Sequence, residues 1–241
     1  MKYVIFSDIH SNLQAFEAVV SSFPKRNSTE IICAGDVVGY GADPDACIGM
    51  MVSLGAGNVL GNHDAVVAGK ADLNSMNIYA RAAALWTKEH IDGPSRDYLN
   101  GLPLVLETGS FVVVHGTLHE PESFMYMMGN NEAIRTFDIL KKKICFVGHS
   151  HKPGTFISRG ARSYRSFKKK IDVEDGSRYI VNVGSVGQPR DGDARACYCV
   201  YDTEKKKIEF KRVKYNVKSA RKSIINAGLP GELGDRLLIG R

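Results

Sequence analysis

The chain has 241 residues, is 44% hydrophobic and carries a formal net charge of +6 with a pI near 9.0. That length and apolar content fit one large domain, residues 1 to 241, with a substantial core. No apolar run approaches the ~20 residues of a membrane helix, and the five cysteines (Cys33, Cys47, Cys145, Cys197, Cys199) lack C-x-x-C spacing and read as buried thiols rather than disulfides or zinc ligands.

Lys2 to Ser7 is strand-like from the outset, with no signal-peptide pattern, so the expected compartment is the cytoplasm. Asn12 to Phe23 places Leu13, Phe16, Val19, Val20 and Phe23 at helical spacing and stops before Pro24. Glu30 to Ala34 reads as a strand. Asp43-Pro44 reads as an N-cap with proline at the first helical position, opening a helix through Leu54. Gly57 to Leu60 is a third strand, and the alanine-rich segment from Ser75 to His90 a long helix. This alternation implies parallel strands covered by helices.

The second half is richer in strands. Leu104 to Glu107 and Phe111 to Val114 flank a Thr108-Gly109 turn and predict a hairpin; Ile144 to Val147, Tyr179 to Val183, Ala196 to Asp202 and Lys207 to Lys214 follow, with one helix near Ala133 to Leu140. Ser158 to Ser177 reads as a loop or irregular hairpin, and the glycine-rich tail after Ala227 as poorly ordered. Lysines cluster at Lys141 to Lys143, Lys168 to Lys170 and Lys205 to Lys207, without interleaved aromatics, which suits a solvated face rather than a nucleic-acid groove. The apolar cluster from Phe124 to Met128 is read first as local packing, with a substrate entrance or a dimer contact as alternatives.

Five of the seven histidines fall in four short clusters: Asp8-Ile9-His10, Gly61-Asn62-His63-Asp64, His115-Gly116 and Gly148-His149-Ser150-His151, with Gly35-Asp36 between the first two. Three of these clusters end apolar, β-branched runs, so strands would deliver them to one sheet edge. Mixed imidazole, carboxylate and carboxamide donors suit Mn, Fe, Co or Zn better than Mg or Ca. A carboxylate can bridge two such ions, and Asp36 is the natural bridge because Gly35, Gly39 and Gly41 let the backbone turn tightly around it. His90 and His119 belong to no cluster.

In order and spacing these residues resemble the calcineurin-like metallophosphoesterase superfamily, whose pattern reads D-x-H, G-D, G-N-H-[DE], H and G-H-x-H, over residues 1 to about 200. The resemblance implies a four-layer α-β-β-α sandwich with two central mixed β-sheets. It also implies two divalent ions, Mn foremost and Fe, Co, Ni or Zn as alternatives: one held by Asp8, His10, Asp36 and His151, the other by Asp36, Asn62, His115 and His149. His63 would be the non-ligand general acid, with Asp64 setting its ring orientation, while a metal-bound hydroxide attacks phosphorus. Asp8 to Leu13, Gly35 to Gly41 and Asn182 to Asp193 look like the compact prokaryotic phosphodiesterase branch that includes diadenosine-tetraphosphatase-like proteins.

The implied substrate is a small phosphodiester or nucleotide polyphosphate, with Asn12 and Arg190 as expected contacts; the other reading of Arg190 is a structural turn residue facing solvent. Neither membrane association nor specific nucleic-acid binding is expected, and a homo-oligomer stays open. Two rival functions are a serine/threonine protein phosphatase and a non-catalytic scaffold. The scaffold reading is disfavoured by the complete donor set.

Overall fold

A computed structural model describes residues 1–24, 29–160 and 162–241. Among these residues the first sheet combines Lys2–Phe6 (β1), Thr29–Cys33 (β2), Gly57–Asn58 (β3), Lys170–Asp172 (β9), Ala196–Asp202 (β11) and Lys207–Val213 (β12), in the order β3-β2-β1-β11-β12-β9. The second combines Val105–Glu107 (β4), Phe111–Val114 (β5), Ile144–Val147 (β6), Gly154–Arg159 (β7), Arg162–Ser166 (β8) and Ser177–Asn182 (β10), in the order β4-β5-β6-β10-β7-β8. β1, β2 and β3 run parallel in one sheet, and β5, β6 and β10 in the other. Loops leaving the carboxyl ends of these two parallel sets carry every clustered histidine, as expected of an α/β ligand edge.

Alternation along the strands decides which core each side chain enters. In β1, Tyr3 and Ile5 face the space between the sheets, while Val4 and Phe6 face outward under helices. The intersheet core is ring-rich: Tyr3 meets Phe111 edge-on with centroids 4.7 Å apart, and Phe111 meets Phe146 at 5.1 Å. Helices Leu13–Ser21 (α1) and Pro44–Ser53 (α2) seal the outer face of the first sheet with Phe16, Val19, Cys47 and Met51. Past Asn62–Val67 (α3), Ile78–His90 (α4) and Gly93–Asn100 (α5), the helix Asn130–Ile139 (α6) covers the second sheet, placing Ala133 and Phe137 over Val112, Val114, Cys145 and Val147. The result is the four-layer α-β-β-α sandwich with two mixed sheets that the sequence predicts.

Several boundaries differ from the sequence reading. The long helix begins at Ile78 rather than Ser75, because the Asn77 side chain accepts hydrogen bonds from the Tyr79 and Ala80 amides and so caps it there. α5 has no counterpart in the sequence reading; Asp92 accepts from the Ser95 amide and starts it just before Gly93-Pro94. The tail after Ala227 is ordered: Val217–Asn226 (α7) and Gly231–Ile239 (α8) bury Ala220, Ile224, Leu233 and Leu237 against Ala80 and Ala83 of α4. Ser158 to Ser177 resolves into the β7–β8 hairpin and the short β9, which joins the first sheet, with Ala161 outside the described residues. The lysine runs lie at the surface with acids among them, Lys143 and Lys206 both on Asp175 at 2.7 and 3.2 Å, and Lys170 on Glu209 at 3.5 Å. No helix among the described residues is long and apolar enough to cross a membrane.

The fully buried Phe111 touches rings from both sheets. Phe111→Ala is expected to cost about 3–5 kcal/mol in urea denaturation. A cost below about 1 kcal/mol would show that the ring cluster does not hold the sheets together.

Candidate metal centre

The backbone turns sharply at the residues that carry the chemistry. Asp8, His10, Asp36, His149 and His151 all have left-handed φ, at 55°, 51°, 56°, 64° and 58°. For residues with side chains this costs of order 1–3 kcal/mol each and persists only where the surroundings enforce it. Here they do: the Asp8 amide donates to the Gly35 carbonyl at 2.9 Å, His10 to Asp36 at 3.1 Å, and Gly187 to Asp8 at 2.8 Å, lacing the loops after β1, β2 and β10 together. The Gly148 amide donates to the His115 carbonyl at 2.9 Å and does the same for the loops after β5 and β6.

Asp8, His10 and His151 offer ligand atoms within 4.8 Å of one another, as do Asp36, His115 and His149; all are buried. Asp36 joins the groups, its Oδ2 lying 3.6 Å from His10 Nε2 and 3.3 Å from His115 Nε2. Asn62 Oδ1 stands 3.2 Å from His115 Nε2, at the same centre. The seven residues expected as ligands are therefore brought together at one place. Three imidazoles are fixed from behind by backbone carbonyls: His10 Nδ1 by Val38 at 3.0 Å, His115 Nδ1 by Ala34 at 2.7 Å and His151 Nδ1 by Gln188 at 2.5 Å. Such partners hold the proton on Nδ1 and leave Nε2 for a ligand role. His149 is turned the other way, its Nδ1 being 3.1 Å from His115 Nε2.

These donors fit divalent cations. His10 Nε2 and His151 Nε2 converge to 3.2 Å, and Asp8 Oδ1 is buried without a hydrogen-bond donor, 3.2 Å from His151 Nε2. Convergent lone pairs with no proton to share are costly unless a cation lies among them. The electrostatics agree. Burial alone would raise the Asp36 carboxyl, yet the neighbouring His115, His63 and His10 outweigh it and hold the group well below the carboxylate range. Burial alone would lower His115, but the Asp36 charge and hydrogen bond push it up to about 9. Burial holds His10 and His149 well below the imidazole range and lowers His151. The Asp36 carboxylate thus draws positive charge towards itself, the place a metal cation would take.

Two residues have roles other than those expected. Asp64 does not orient the His63 ring; its carboxylate accepts from the Asp36 amide at 2.8 Å, Gly61 at 3.1 Å and Val38 at 3.1 Å, and so shapes the loop that presents Asp36. Burial, then the Asp36 charge, pushes Asp64 up to about 7. Asn12 is occupied structurally: its Oδ1 caps α1 at the Ala15 amide, 3.1 Å, and its Nδ2 donates to the Gly187 carbonyl at 2.8 Å and to the Tyr215 hydroxyl at 3.4 Å. No donor remains for a substrate.

His63 lies beside the ligands, and with His10 and Asp36 forms a third group within 4.8 Å, so distance alone does not separate it from them. Its Nδ1 is buried without a partner, against Gly39, where a Cβ would come within 2.3 Å at a φ of +91°. Arg190 is half-buried rather than turned to solvent: Nε and Nη2 donate to Gln188 Oε1 at 3.3 and 2.9 Å, and Nη2 to the Tyr40 hydroxyl at 3.3 Å. Tyr40 and Gln188 escaped the sequence reading. The Tyr40 ring lies 4.4 Å from that of His63 and 4.7 Å from that of His10, and its only sequence signal was its place between Gly39 and Gly41. His90 stacks on Trp86, and His119 pairs with Glu120 at 3.8 Å, away from the ligand groups.

Comparison with known proteins matches residues 1–206 to the calcineurin-like phosphoesterase superfamily domain. The uncharacterized protein MJ0912 of Methanocaldococcus jannaschii is 38% identical over 243 residues, covering 98% of this chain and 97% of that protein. The crystal structure of a metallophosphoesterase from Sphaerobacter thermophilus, 34% identical, aligns over 100% of both chains with a TM-score of 0.87. That of the hypothetical protein PH1004 from Pyrococcus horikoshii OT3 shares the fold at 19% identity, with a TM-score of 0.80 over 100% of this chain and 98% of that one.

Because one Asp36 carboxylate oxygen reaches an imidazole of each group, Asp36→Asn is expected to reduce bound metal at both positions, whereas His10→Ala and His115→Ala each reduce mainly one. Metal content after gel filtration checks this. Two tightly held ions in Asp36→Asn would remove Asp36 as the bridge.

Proposed function

We propose that this chain, which belongs to the calcineurin-like phosphoesterase superfamily, is a phosphoesterase with a dinuclear metal site that hydrolyses small phosphodiesters or nucleotide polyphosphates. The observation that carries the proposal is the junction at Asp36, where two groups of buried donors share one carboxylate oxygen. Asp8, His10, Asp36 and His151 would hold one ion, and Asp36, Asn62, His115 and His149 the other. A borderline ion such as Mn, Fe, Co, Ni or Zn suits that mixed donor set. When bound, such ions supply Lewis acidity at the phosphoryl oxygens and acidify water at neutral pH.

The remaining residues act on the substrate itself. Arg190 donates from Nε and Nη2 to Gln188 and Tyr40, which fixes the guanidinium in position to bind a phosphate oxygen. As water adds to phosphorus and the ester P–O bond breaks, the departing oxygen needs a proton. His63 is the residue proposed to deliver it, from Nε2, since its Nδ1 is sealed against Gly39. Burial, opposed by the Asp36 charge, pushes His63 down to about 4 in the protein alone, so its proton is held best when an anionic phosphate lies beside it. Asp64 contributes by fixing the loop rather than by touching the reaction.

His63→Asn is expected to slow hydrolysis of an alkyl or nucleoside ester by about 10²–10⁴ and that of a p-nitrophenyl ester far less, because p-nitrophenolate leaves without protonation. Metal content should remain that of wild type. Equal slowing on both esters would reassign His63 to charge stabilisation, and loss of one ion would make it a ligand.

A further inference from the structure

The segment after His115 folds back against His115 and Gly116 and is pinned along its length. The Met125 carbonyl passes so close to Gly116 that a Cβ there would lie 2.6 Å from it. Phe124 stands edge-on to His115 with centroids 6.1 Å apart, and Met127 is buried in the core under α6. The Met128 carbonyl accepts from Arg165 Nη1 at 3.3 Å, which ties the end of the segment to β8. Phe124 itself has a left-handed φ of 49°. A segment so constrained presents its side chains in fixed directions.

Between these anchors, Tyr126 lies flat on the candidate ligand His149, with ring centroids 3.8 Å apart and planes 19° from parallel. One ring face is covered, yet the residue is 47% exposed. A large ring held rigidly and still half exposed forgoes part of the favourable burial that its area offers, whereas a planar partner laid on it would recover it. Burial raises the Tyr126 hydroxyl, while the Arg190 charge and a hydrogen bond from its guanidinium pull it down, so the two side chains adjoin. Tyr40 also contacts Arg190, its hydroxyl accepting from Nη2 and its ring lying 5.6 Å from the guanidinium. A phosphate bound by Arg190 would therefore carry its substituent past Tyr126.

We infer that Tyr126 is a stacking platform for a planar aromatic group of the substrate, so that the site prefers phosphate esters of nucleosides to esters of aliphatic alcohols. This rests on the phosphoesterase reading of the same site and adds a substrate class to it. Base-on-aromatic stacking tolerates any base, since each has a π-face; the platform selects nucleotides as a class and not one nucleobase.

The test compares two probes with the same phosphate, AMP and ribose 5-phosphate, binding to the metal-loaded full chain, measured by calorimetry. Wild type is expected to bind AMP about tenfold more tightly, equivalent to about 1.4 kcal/mol. Tyr126→Phe should keep that ratio and Tyr126→Leu should bring it within twofold. Equal binding of the two probes by wild type, or a tenfold ratio retained by Tyr126→Leu, overturns the platform while leaving the phosphoesterase reading intact. Absence of binding by both probes, together with no hydrolysis of any ester under any of the metals, overturns both. If Tyr126→Leu loses metal, Tyr126→Trp decides: a higher preference for AMP supports the platform, and an unchanged or lower one overturns it.

Discussion

A buried carboxylate is the constraint from which the rest of the structure follows. Asp36 is 1% exposed, and an anion so far from water costs several kcal/mol unless its surroundings compensate. The compensation is drawn from both sheets: His10 follows β1, His115 follows β5, and the His63 amide donates to the other carboxylate oxygen at 2.9 Å. The aromatic contacts that join the sheets in their middle and the charge that joins them at one end are thus separate fastenings. The first is indifferent to metal, while the second is complete only when positive charge is present.

The supporting loops show how that charge is kept in place. Asp64 fastens the Asp36 loop from beneath through three backbone amides, and Asn12 fastens the β1 loop to the one after β10. Neither side chain is free to meet a substrate, yet both stand next to motif residues in sequence. Proximity in a motif therefore marks participation in the same structure, and the hydrogen-bond partners decide whether a residue reacts or supports.

The clustering of Asp and His donors and most strands were legible in the sequence because each depends on local signals: a β-branched run ending in Asp or His is visible without knowing its partner. Leu233 and Leu237 were not, since a glycine-rich tail looks open until the groove formed by α4 and α7 is known. Asp64 and Asn12 were misread for the converse reason: their partners are backbone amides and carbonyls of distant loops, which leave no trace in side-chain identity. Tyr126 belonged to an apolar cluster whose members diverge in space, Met127 turning into the core while Tyr126 covers His149. Residue type alone does not report that divergence.

The pairing of β1 bears on the order in which the chain can assemble. β1 has β2 as its parallel partner on one side and β11, Ala196–Asp202, as its antiparallel partner on the other. During synthesis the strand that carries Asp8 and His10 thus emerges long before its second neighbour exists, with one edge unpaired for most of translation. The loop after β10, whose Gly187 amide holds the Asp8 turn and whose Gln188 carbonyl holds His151, arrives at nearly the same late stage. A nascent chain therefore cannot fix the Asp8 turn or the His151 ring until the residues that follow β10 have been made, so the buried donors converge only late in synthesis.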